Sequence, residues 1–530
     1  MLARCGSGAL VGLEAVAITV EVAIAPGLPG LSVVGLADAA VQEARERVRS
    51  ALRHAGLKVP LTRVVVNLAP GDVRKEGPSF DLPIALGLLL ASDQLEAASL
   101  EGVWSVGELG LDGALRPVRG VLPVALAARS AGARALLVPA ANGVEAALVE
   151  GLAIWTAEHL SQAVAVLRGE APTPPPPPLQ AFPASTRHQS LDLAEVQGQL
   201  HGRRALEIAA AGGHHLLLVG PPGSGKTMLA RRLQGLLPPL SNEEALEVTA
   251  IHSVAGLLPA DGALLGQRPF RSPHHSCTAA ALMGGGPVPR PGELALAHRG
   301  VLFLDELAEF RRPVLDQLRQ PLEEGSVWIS RARHRSRFPC RTTLVAATNP
   351  CPCGWFGEPG ASCRCGEGLR RRYWGRLSGP LLDRIDLQVV MRRLSGQELG
   401  ASYRRNQTSG ASGTIRAHAP ETSAQVAARV KAARRRMGQR NPGGCSNAAL
   451  PAQALRRVLQ LEPQALQLWE GAVSQRKLSA RGAERLLRVA LTIADLDGQR
   501  SVGPGPIAEA LNYRSFDQAA EGQGENTQEA

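Results

Sequence analysis

Near its start the chain alternates apolar and polar positions. Val16, Ile18, Val20, Val22 and Ile24 are separated by smaller or polar residues, the period of a half-buried strand, and Pro26-Gly27 ends the run. The period then changes to that of a helix, with Val41, Ala44, Val48 and Leu52 on one face and Arg45, Arg49 and Arg53 on the polar side. Arg63–Leu68 predicts a strand, Leu82–Leu90 a buried helix, Ala127–Ala131 a helix and Ala135–Val138 a strand. Residues 1–170 therefore predict an α/β domain. Ala171–Pro178 reads APTPPPPP, which can join neither a helix nor a sheet ladder, so 171–190 predicts a semi-rigid linker. Residues 191–400 alternate strand, turn and helix as a parallel sheet requires. Ser409–Gly413 (SGASG) is a flexible break. From Ala424 the pattern is helical, with Leu455, Val458, Leu459, Leu466 and Leu468 in one stretch and Ala480–Leu496 in a second. This predicts a helical domain over 401–515, followed by a polar, disordered tail over 516–530.

Composition narrows the class. Apolar residues make up 45% of the 530, enough for packed cores, and aromatics only 3%, so those cores rest on Leu, Val and Ala. Met1–Ala25 begins like a signal sequence, with Arg4 ahead of an apolar stretch, but Glu14 and Glu21 interrupt it and no small-residue cleavage site follows cleanly. No run approaches the ~18 apolar residues of a membrane span. The expected location is cytoplasmic, with no membrane partner. A net charge of +11 and a pI near 9.8 suit a polyanionic partner, although a GC-rich genome also raises the Arg content.

The chemistry is concentrated at strand ends. Leu216–Val219 is an apolar strand that runs into Gly220-Pro221-Pro222-Gly223-Ser224-Gly225-Lys226-Thr227 and then a helix, Met228–Leu237. This is G-x-x-x-x-G-K-[ST] in its strand-loop-helix context. The glycines let backbone N–H groups curl around phosphates, Lys226 faces the β/γ-phosphates, and Thr227 offers a hydroxyl to Mg²⁺. A second strand, Val301–Leu304, ends in Asp305-Glu306. Asp305 is expected to hold Mg²⁺ through its water shell and Glu306 to activate the attacking water. A third, Thr343–Ala347, ends at Thr348-Asn349, with Asn349 placed to orient that water. Arg384, in Leu381–Asp386 (LLDRID), is the candidate cation lent to a neighbouring subunit's γ-phosphate. The alternative is a local salt bridge to Asp383 or Asp386.

These strings extend to a family resemblance. DLAEVQGQ at Asp192–Gln199, RPFRSPHH at Arg268–His275, PGELALAHRGVLFLDEL at Pro291–Leu307, NPCPCG at Asn349–Gly354, SGPLLDRIDL at Ser378–Leu387 and LSARGAERLLRVALTIADL at Leu478–Leu496 join the phosphate loop. Together they resemble the Mg-chelatase-like AAA+ ATPases of the ComM/YifB type over nearly the whole chain. The resemblance implies a homo-hexameric ring with ATP between subunits and Arg384 as the finger acting in trans. It makes Arg481 the second sensor of a helical lid domain (401–515) and puts Val196, Gln197 and Gly198 near the adenine. It makes 191–400 an AAA+ P-loop α/β core carrying a cysteine insertion, and 1–170 a Lon-protease-like (S5 domain 2-like) α/β domain. Lys75–Ser79 (KEGPS) resembles the segment bearing the Lon nucleophilic Ser. In Arg116–Val124, however, Leu122 stands where the partner Lys would be. A nucleophile without its base implies a scaffold, or a platform for DNA binding or assembly, rather than a peptidase.

Two further features bear on partners. Val327–Arg341 reads VWISRARHRSRFPCR, in which Trp328, Ile329 and Phe338 suggest two short strands. Arg331, Arg333, His334, Arg335 and Arg337 form a cationic tip that contains no acid. It is either a solvated basic hairpin or a phosphate-gripping element, and the related ring motors place such a hairpin in the pore. Gly284–Glu293, with Arg290, looks like the companion insertion. Of eight cysteines, Cys351, Cys353, Cys363 and Cys365 form C-x-C, nine residues, C-x-C. Four thiolates can bind Zn²⁺ tetrahedrally, but C-x-x-C is the commoner spacing, so redox-active or merely buried thiols are the alternative. His274-His275 lacks an adjacent carboxylate or Cys, so a structural role is expected.

Three functions compete. One is an ATP-driven DNA motor, a helicase or branch-migration enzyme serving recombination in natural transformation. The others are a magnesium-insertion ATPase for tetrapyrrole synthesis and an ATP-dependent protease. The basic hairpin, the pI and the Lon-like domain favour the first, and the missing Lys disfavours the third. The expected cofactors are ATP, Mg²⁺ and, at the cysteines, Zn²⁺. The expected partners are single-stranded or branched DNA, further copies of the chain and a recombinase filament.

Overall fold

The structure, a computed structural model, describes residues 2–172, 191–259, 264–286, 289–331, 334–398, 400 and 421–514. The Pro-rich run from residue 173, the SGASG break and the tail from residue 515 lie outside the described residues.

The N-terminal alternation forms a sheet. The strands β1 (Leu2–Val11) and β2 (Glu14–Ala25) pair antiparallel from Leu2↔Ala23 to Val11↔Glu14, so the signal-like start is a hairpin. With β3 (Gly30–Val34), β4 (Arg63–Ala69), β5 (Val103–Ser105), β6 (Ala135–Pro139) and β7 (Ala153–Ala157), the seven strands lie in the order β3-β4-β2-β1-β5-β6-β7. Ile18, Val20 and Val22 are buried, as are Val41, Ala44, Val48 and Leu52 of the helix Ala39–His54. The helix Asp81–Ala91 is buried almost all round, which accounts for its uniformly apolar sequence. The helix expected at Ala127–Ala131 instead spans Val121–Ser130. Pro123 sits in its first turn, where the missing N–H has no intrahelical partner to lose, so the proline marks a start rather than a break. Leu122 is fully buried there.

The second sheet is wholly parallel. Its strands are β8 (Leu216–Val219), β9 (Phe270–Arg271), β10 (Val301–Leu304), β13 (Thr343–Thr348) and β14 (Leu387–Val390), and a separate antiparallel hairpin, β11 (Ser326–Arg331) with β12 (His334–Pro339), precedes β13. The order is β9-β10-β13-β8-β14. Every residue of β8, β10 and β13 is buried, as a parallel sheet covered on both faces demands.

The C-terminal region is helical: Ser423–Arg440, Ala452–Val458, Pro463–Gln475, Ala480–Leu496 and Pro504–Asn512. The single stretch expected from Leu455 to Leu468 is two helices. Pro463 at the first helical position starts a new one, and Leu461 bridges to Val502 instead of continuing the old. Behind the helix Ala480–Leu496, Asp495 is 1% exposed and paired with Arg440 through contacts of 2.7 and 2.8 Å, with Asn447 Nδ2 donating to it at 2.8 Å. Arg440→Ala leaves that carboxylate buried without its cation, and chemical denaturation should register a loss of about 3 kcal/mol. A loss below about 1 kcal/mol would show that the pair is dispensable.

The N-terminal sheet and the parallel-sheet region touch. Glu145 accepts from the Leu122 N–H at 2.9 Å and binds Ser253 Oγ of the helix Asn242–Ala255, and burial pushes its carboxyl above the ordinary range. Gly12, in the β1–β2 turn with φ +68°, lies against Ser336 of β12, where a Cβ would be 3.2 Å from the serine Cβ.

Candidate functional site

Register brings the strand ends together. Val219 pairs with Thr348, and Leu304 with Ala346, so the loops that follow β8, β10 and β13 leave the same carboxyl edge of the sheet. In open parallel sheets that edge is where ligands bind.

The loop Gly220–Thr227 runs from β8 into the helix Lys226–Leu236. Gly223 and Gly225 have φ of +78° and +87°, and a Cβ on either would face open space, which leaves their backbone free to approach a ligand. Lys226 is 9% exposed. Its Nζ donates to the Gly220 and Pro221 carbonyls at 2.7 and 3.0 Å and to Asn349 Oδ1 at 3.1 Å. Burial lowers the affinity of this amine for its proton. Thr227 Oγ1 donates to Asp305 Oδ2 at 2.7 Å, and Asp305 Oδ1 accepts from the Glu306 N–H at 2.9 Å. Lys226, Thr227, Asp305 and Asn349 therefore form one connected cluster. Ser224 Oγ is buried without a hydrogen-bond partner among the described residues. An orphan hydroxyl, an open glycine cradle, a buried ammonium and a Thr–Asp pair fit a nucleotide triphosphate with Mg²⁺.

Glu306 takes a left-handed φ of +52°, which turns its carboxylate toward His275: Nδ1 and Oε2 are 2.9 Å apart. The sequence next to His274-His275 supplies no carboxylate, and the fold brings one to His275. The ring of His274 packs on His275 with centroids 4.1 Å apart, and its Nδ1 pairs with Ser276 Oγ at 2.8 Å.

The segment before the helix Leu200–Gly212 also reaches the phosphate loop. Val196 is core, and Gly198 has φ +58°. Gln199 Nε2 donates to the Ser224 and Arg392 carbonyls at 3.1 and 2.6 Å. Gln197 Oε1 is buried without a partner among the described residues. The sequence motif ended at Gln199, but only its left-handed φ of +47° reveals this contact.

Arg384 and Arg481 are brought together, but away from the cluster. Arg384 is 3.0 Å from Glu323, and its Nε and Nη1 donate to the Arg319 and Pro380 carbonyls. Arg481 reaches the same Glu323 at 3.2 Å. The alternative of a local pair to Asp383 or Asp386 gives way to Glu323, because Asp386 is already held by His214 at 3.2 Å and Arg485 at 3.5 Å.

The hairpin β11–β12 has Val327, Ile329 and Phe338 buried, with Arg335 over the Trp328 ring at 4.2 Å and Arg337 at 5.8 Å. Arg333 lies outside the described residues, and for Arg331 and His334 the backbone alone is described, paired across the hairpin. Arg290 is exposed in a two-residue strand paired with Gly284–Gly285, and Gly284 abuts Ile329 of the hairpin.

The four cysteine Sγ atoms lie within 4.8 Å of one another, with Cys351 and Cys365 buried. Cys351 to Cys353 is 3.3 Å, Cys351 to Cys363 3.7 Å and Cys353 to Cys363 3.6 Å. Backbone N–H groups of Trp355 and Arg364 hold the Cys353 thiol down to about 6. This donor set is the one a tetrahedral Zn²⁺ takes. Among the described residues no helix is long and apolar enough to cross a membrane.

Residues 192–399 match the family described as magnesium chelatase, subunit ChlI; residues 20–142 match subunit ChlI of Mg-chelatase, and 420–514 its C-terminal part. The chain is 45% identical to the uncharacterized protein YifB of Escherichia coli over 96% of each chain. It is 44% identical to competence protein ComM of Haemophilus influenzae over 97% of this chain and 98% of that one. A stretch of 161 residues, 28% of each chain, is 29% identical to Lon protease 2 of Bacillus subtilis. The chain belongs to the Mg-chelatase-like AAA+ ATPases of the ComM/YifB type.

Proposed function

We propose that this ATPase is a ring-shaped DNA motor, a homo-hexameric helicase or branch-migration enzyme that promotes recombination in natural transformation. The observation that supports it most is the place of the cationic hairpin. It lies in the chain between the strand ending at Asp305-Glu306 and the strand ending at Asn349, and its base runs through Cys340 into the amino end of β13, the strand that carries Asn349 at its carboxyl end. Arg335 and Arg337 stacked on Trp328 make a surface suited to phosphates and unstacked bases. Arg290 lies on the adjoining insertion, and Arg331, Arg333 and His334 complete the cation set. The competence protein named above is the relative that points to transformation, and a recombinase filament is the corresponding partner.

In the hydrolytic step Lys226 releases Asn349 and its loop carbonyls to take the β/γ-phosphates. Thr227 and Asp305 would hold Mg²⁺, which would supply positive charge to offset that on the phosphate oxygens. Glu306 leaves His275 and accepts the proton of the attacking water, which Asn349 orients. Gln197 Oε1, which has no partner among the described residues, accepts from the adenine amine. Arg384 reaches the neighbouring subunit's γ-phosphate, and Arg481 acts from the helical region. The chelatase reading rests on the name of the matched family, whereas YifB and ComM are among the relatives matched along nearly the whole chain. Residues 1–170 serve as a platform, 171–190 as linker, 191–400 as motor core, 401–515 as lid and 516–530 as tail.

The function is tested by ATP-dependent displacement of a labelled strand from forked and four-way DNA. No displacement on any substrate, with ATP hydrolysed normally, rejects the motor. Ring action has its own check. Arg384→Ala subunits should bind ATP yet hydrolyse it poorly, and mixing them with Glu306→Gln subunits should restore activity at hybrid interfaces. No recovery at any ratio would put the nucleotide within one subunit. The cysteines should hold about one Zn²⁺ per chain, read by metal analysis of protein purified without chelator. Unchanged zinc after Cys351→Ser with Cys353→Ser would place the metal elsewhere.

A further inference from the structure

The segment from Asn349 to Trp374 leaves the nucleotide cluster and returns to it. It begins at Asn349, whose Oδ1 accepts from Lys226 Nζ at 3.1 Å, and the first cysteine follows two residues later. It ends in the helix Glu367–Trp374, where Tyr373 OH meets Thr348 Oγ1 at 3.2 Å and Trp374 Nε1 donates to the Pro350 carbonyl at 3.0 Å. Between these tethers the cysteine knot touches the phosphate loop. Gly354, flanked by Cys353, has φ +83°, and a Cβ there would sit 2.6 Å from Pro222 Cδ and 2.9 Å from Pro222 Cγ. The next residue, Trp355, carries Arg393 over its ring at 5.7 Å. The Arg392 carbonyl accepts from Gln199, which also donates to Ser224. The knot therefore bears on the phosphate loop from two sides.

We propose that the metal held by Cys351, Cys353, Cys363 and Cys365 positions the phosphate loop and Asn349, so that ATP hydrolysis depends on occupancy of a metal site outside the nucleotide cluster. This rests on the zinc and ATPase readings above. Cys351 to Cys365 has no helix or strand of its own, and its order must come from cross-links. A metal joining its two ends fixes Gly354 against Pro222 and fixes the backbone two residues from Asn349. Without the metal those contacts compete with chain entropy, and a misplacement of about 1 Å at a reacting centre costs about 10²-fold in rate. Gly354 is a positioning residue, and the metal is a means by which zinc supply sets motor activity.

A pair of glycine variants isolates the contact. Gly354→Ala and Gly360→Ala impose similar backbone strain, with φ +83° and +78°, but a Cβ at Gly360 meets nothing within 4 Å. Zinc content, fluorescent-ATP affinity and kcat are measured on both full-length proteins. Both should keep their zinc. Gly360→Ala should hydrolyse ATP as wild type does, and Gly354→Ala should lose about tenfold or more in kcat/KM. In parallel, wild-type protein is stripped with a strong chelator and exchanged into Mg²⁺ buffer. Its kcat should fall about tenfold or more and its tryptophan emission should shift, both recovering when Zn²⁺ is restored. Equal activity of the two glycine variants, or unchanged kcat after zinc is shown to be gone, overturns the coupling. Wild-type protein that never contains zinc overturns the metal reading, and wild-type protein that does not hydrolyse ATP overturns the ATPase reading, each identified before the variants are compared.

Discussion

Glu306→Gln should bind ATP as tightly as the unaltered chain and hydrolyse it at least about 10²-fold more slowly, the scale of losing a general base. The side chain is half exposed at a strand end, its only polar partner among the described residues is His275 at 2.9 Å, and it holds no structural contact in the core. The amide keeps the size and removes only the proton acceptor, so binding and chemistry should separate. Lys226→Ala should fail differently. Its Nζ makes three hydrogen bonds within the loop and to Asn349, so its loss should weaken nucleotide binding itself. Fluorescent-ATP titration and single-turnover hydrolysis distinguish the two. Normal turnover in Glu306→Gln would remove the cluster from the chemistry.

The second large effect is on coupling to DNA. Replacing Arg331, Arg333 and Arg335 by Ala should abolish DNA-stimulated hydrolysis and strand displacement while leaving basal hydrolysis largely intact. The reason is geometric. The hairpin runs into the amino end of β13, whose carboxyl end carries Asn349, so a change at the γ-phosphate passes to its base along one strand that is buried at every residue and paired to β10. Arg335, the one of the three whose side chain is described, lies on Trp328. DNA affinity should also lose part of its salt dependence, because fewer counterions are released. Replacing Arg45, Arg49 and Arg53 removes the same charge from the N-terminal helix and should weaken coupling less. If the hairpin variant displaces strands as well as the unaltered chain, the basic tip is a solvated surface.

The parts of the site that could be read in advance are those whose chemistry is contiguous. The phosphate loop is eight consecutive residues, and Asp305-Glu306 and Asn349 each follow a run of apolar residues, so hydrophobic pattern and polar punctuation locate them together. His275 could not be read that way. Its partner is in a different loop, and the contact exists because Glu306 adopts a left-handed φ that no pattern announces. Gln199 was hidden for the same reason. Arg384 was visible as a candidate, but two nearer acids suggested the wrong partner, since Asp386 is occupied by His214 and Arg485 from distant elements. The helix Val121–Ser130 begins six residues before the expected Ala127, and Pro123 in its first turn is compatible with that start. Spacing alone left the cysteines ambiguous between metal and redox chemistry, whereas the fold gathers all four sulfurs at one point.

The most direct test of the motor account is steady-state ATP hydrolysis by the full-length protein, with no DNA, with single-stranded DNA and with branched DNA, using Glu306→Gln as the blank. The account predicts hydrolysis that requires Mg²⁺ and rises severalfold with DNA in the unaltered chain. It also predicts that the rise is absent in the hairpin variant. A rate unaffected by every DNA form, in protein that binds and hydrolyses ATP, would contradict it.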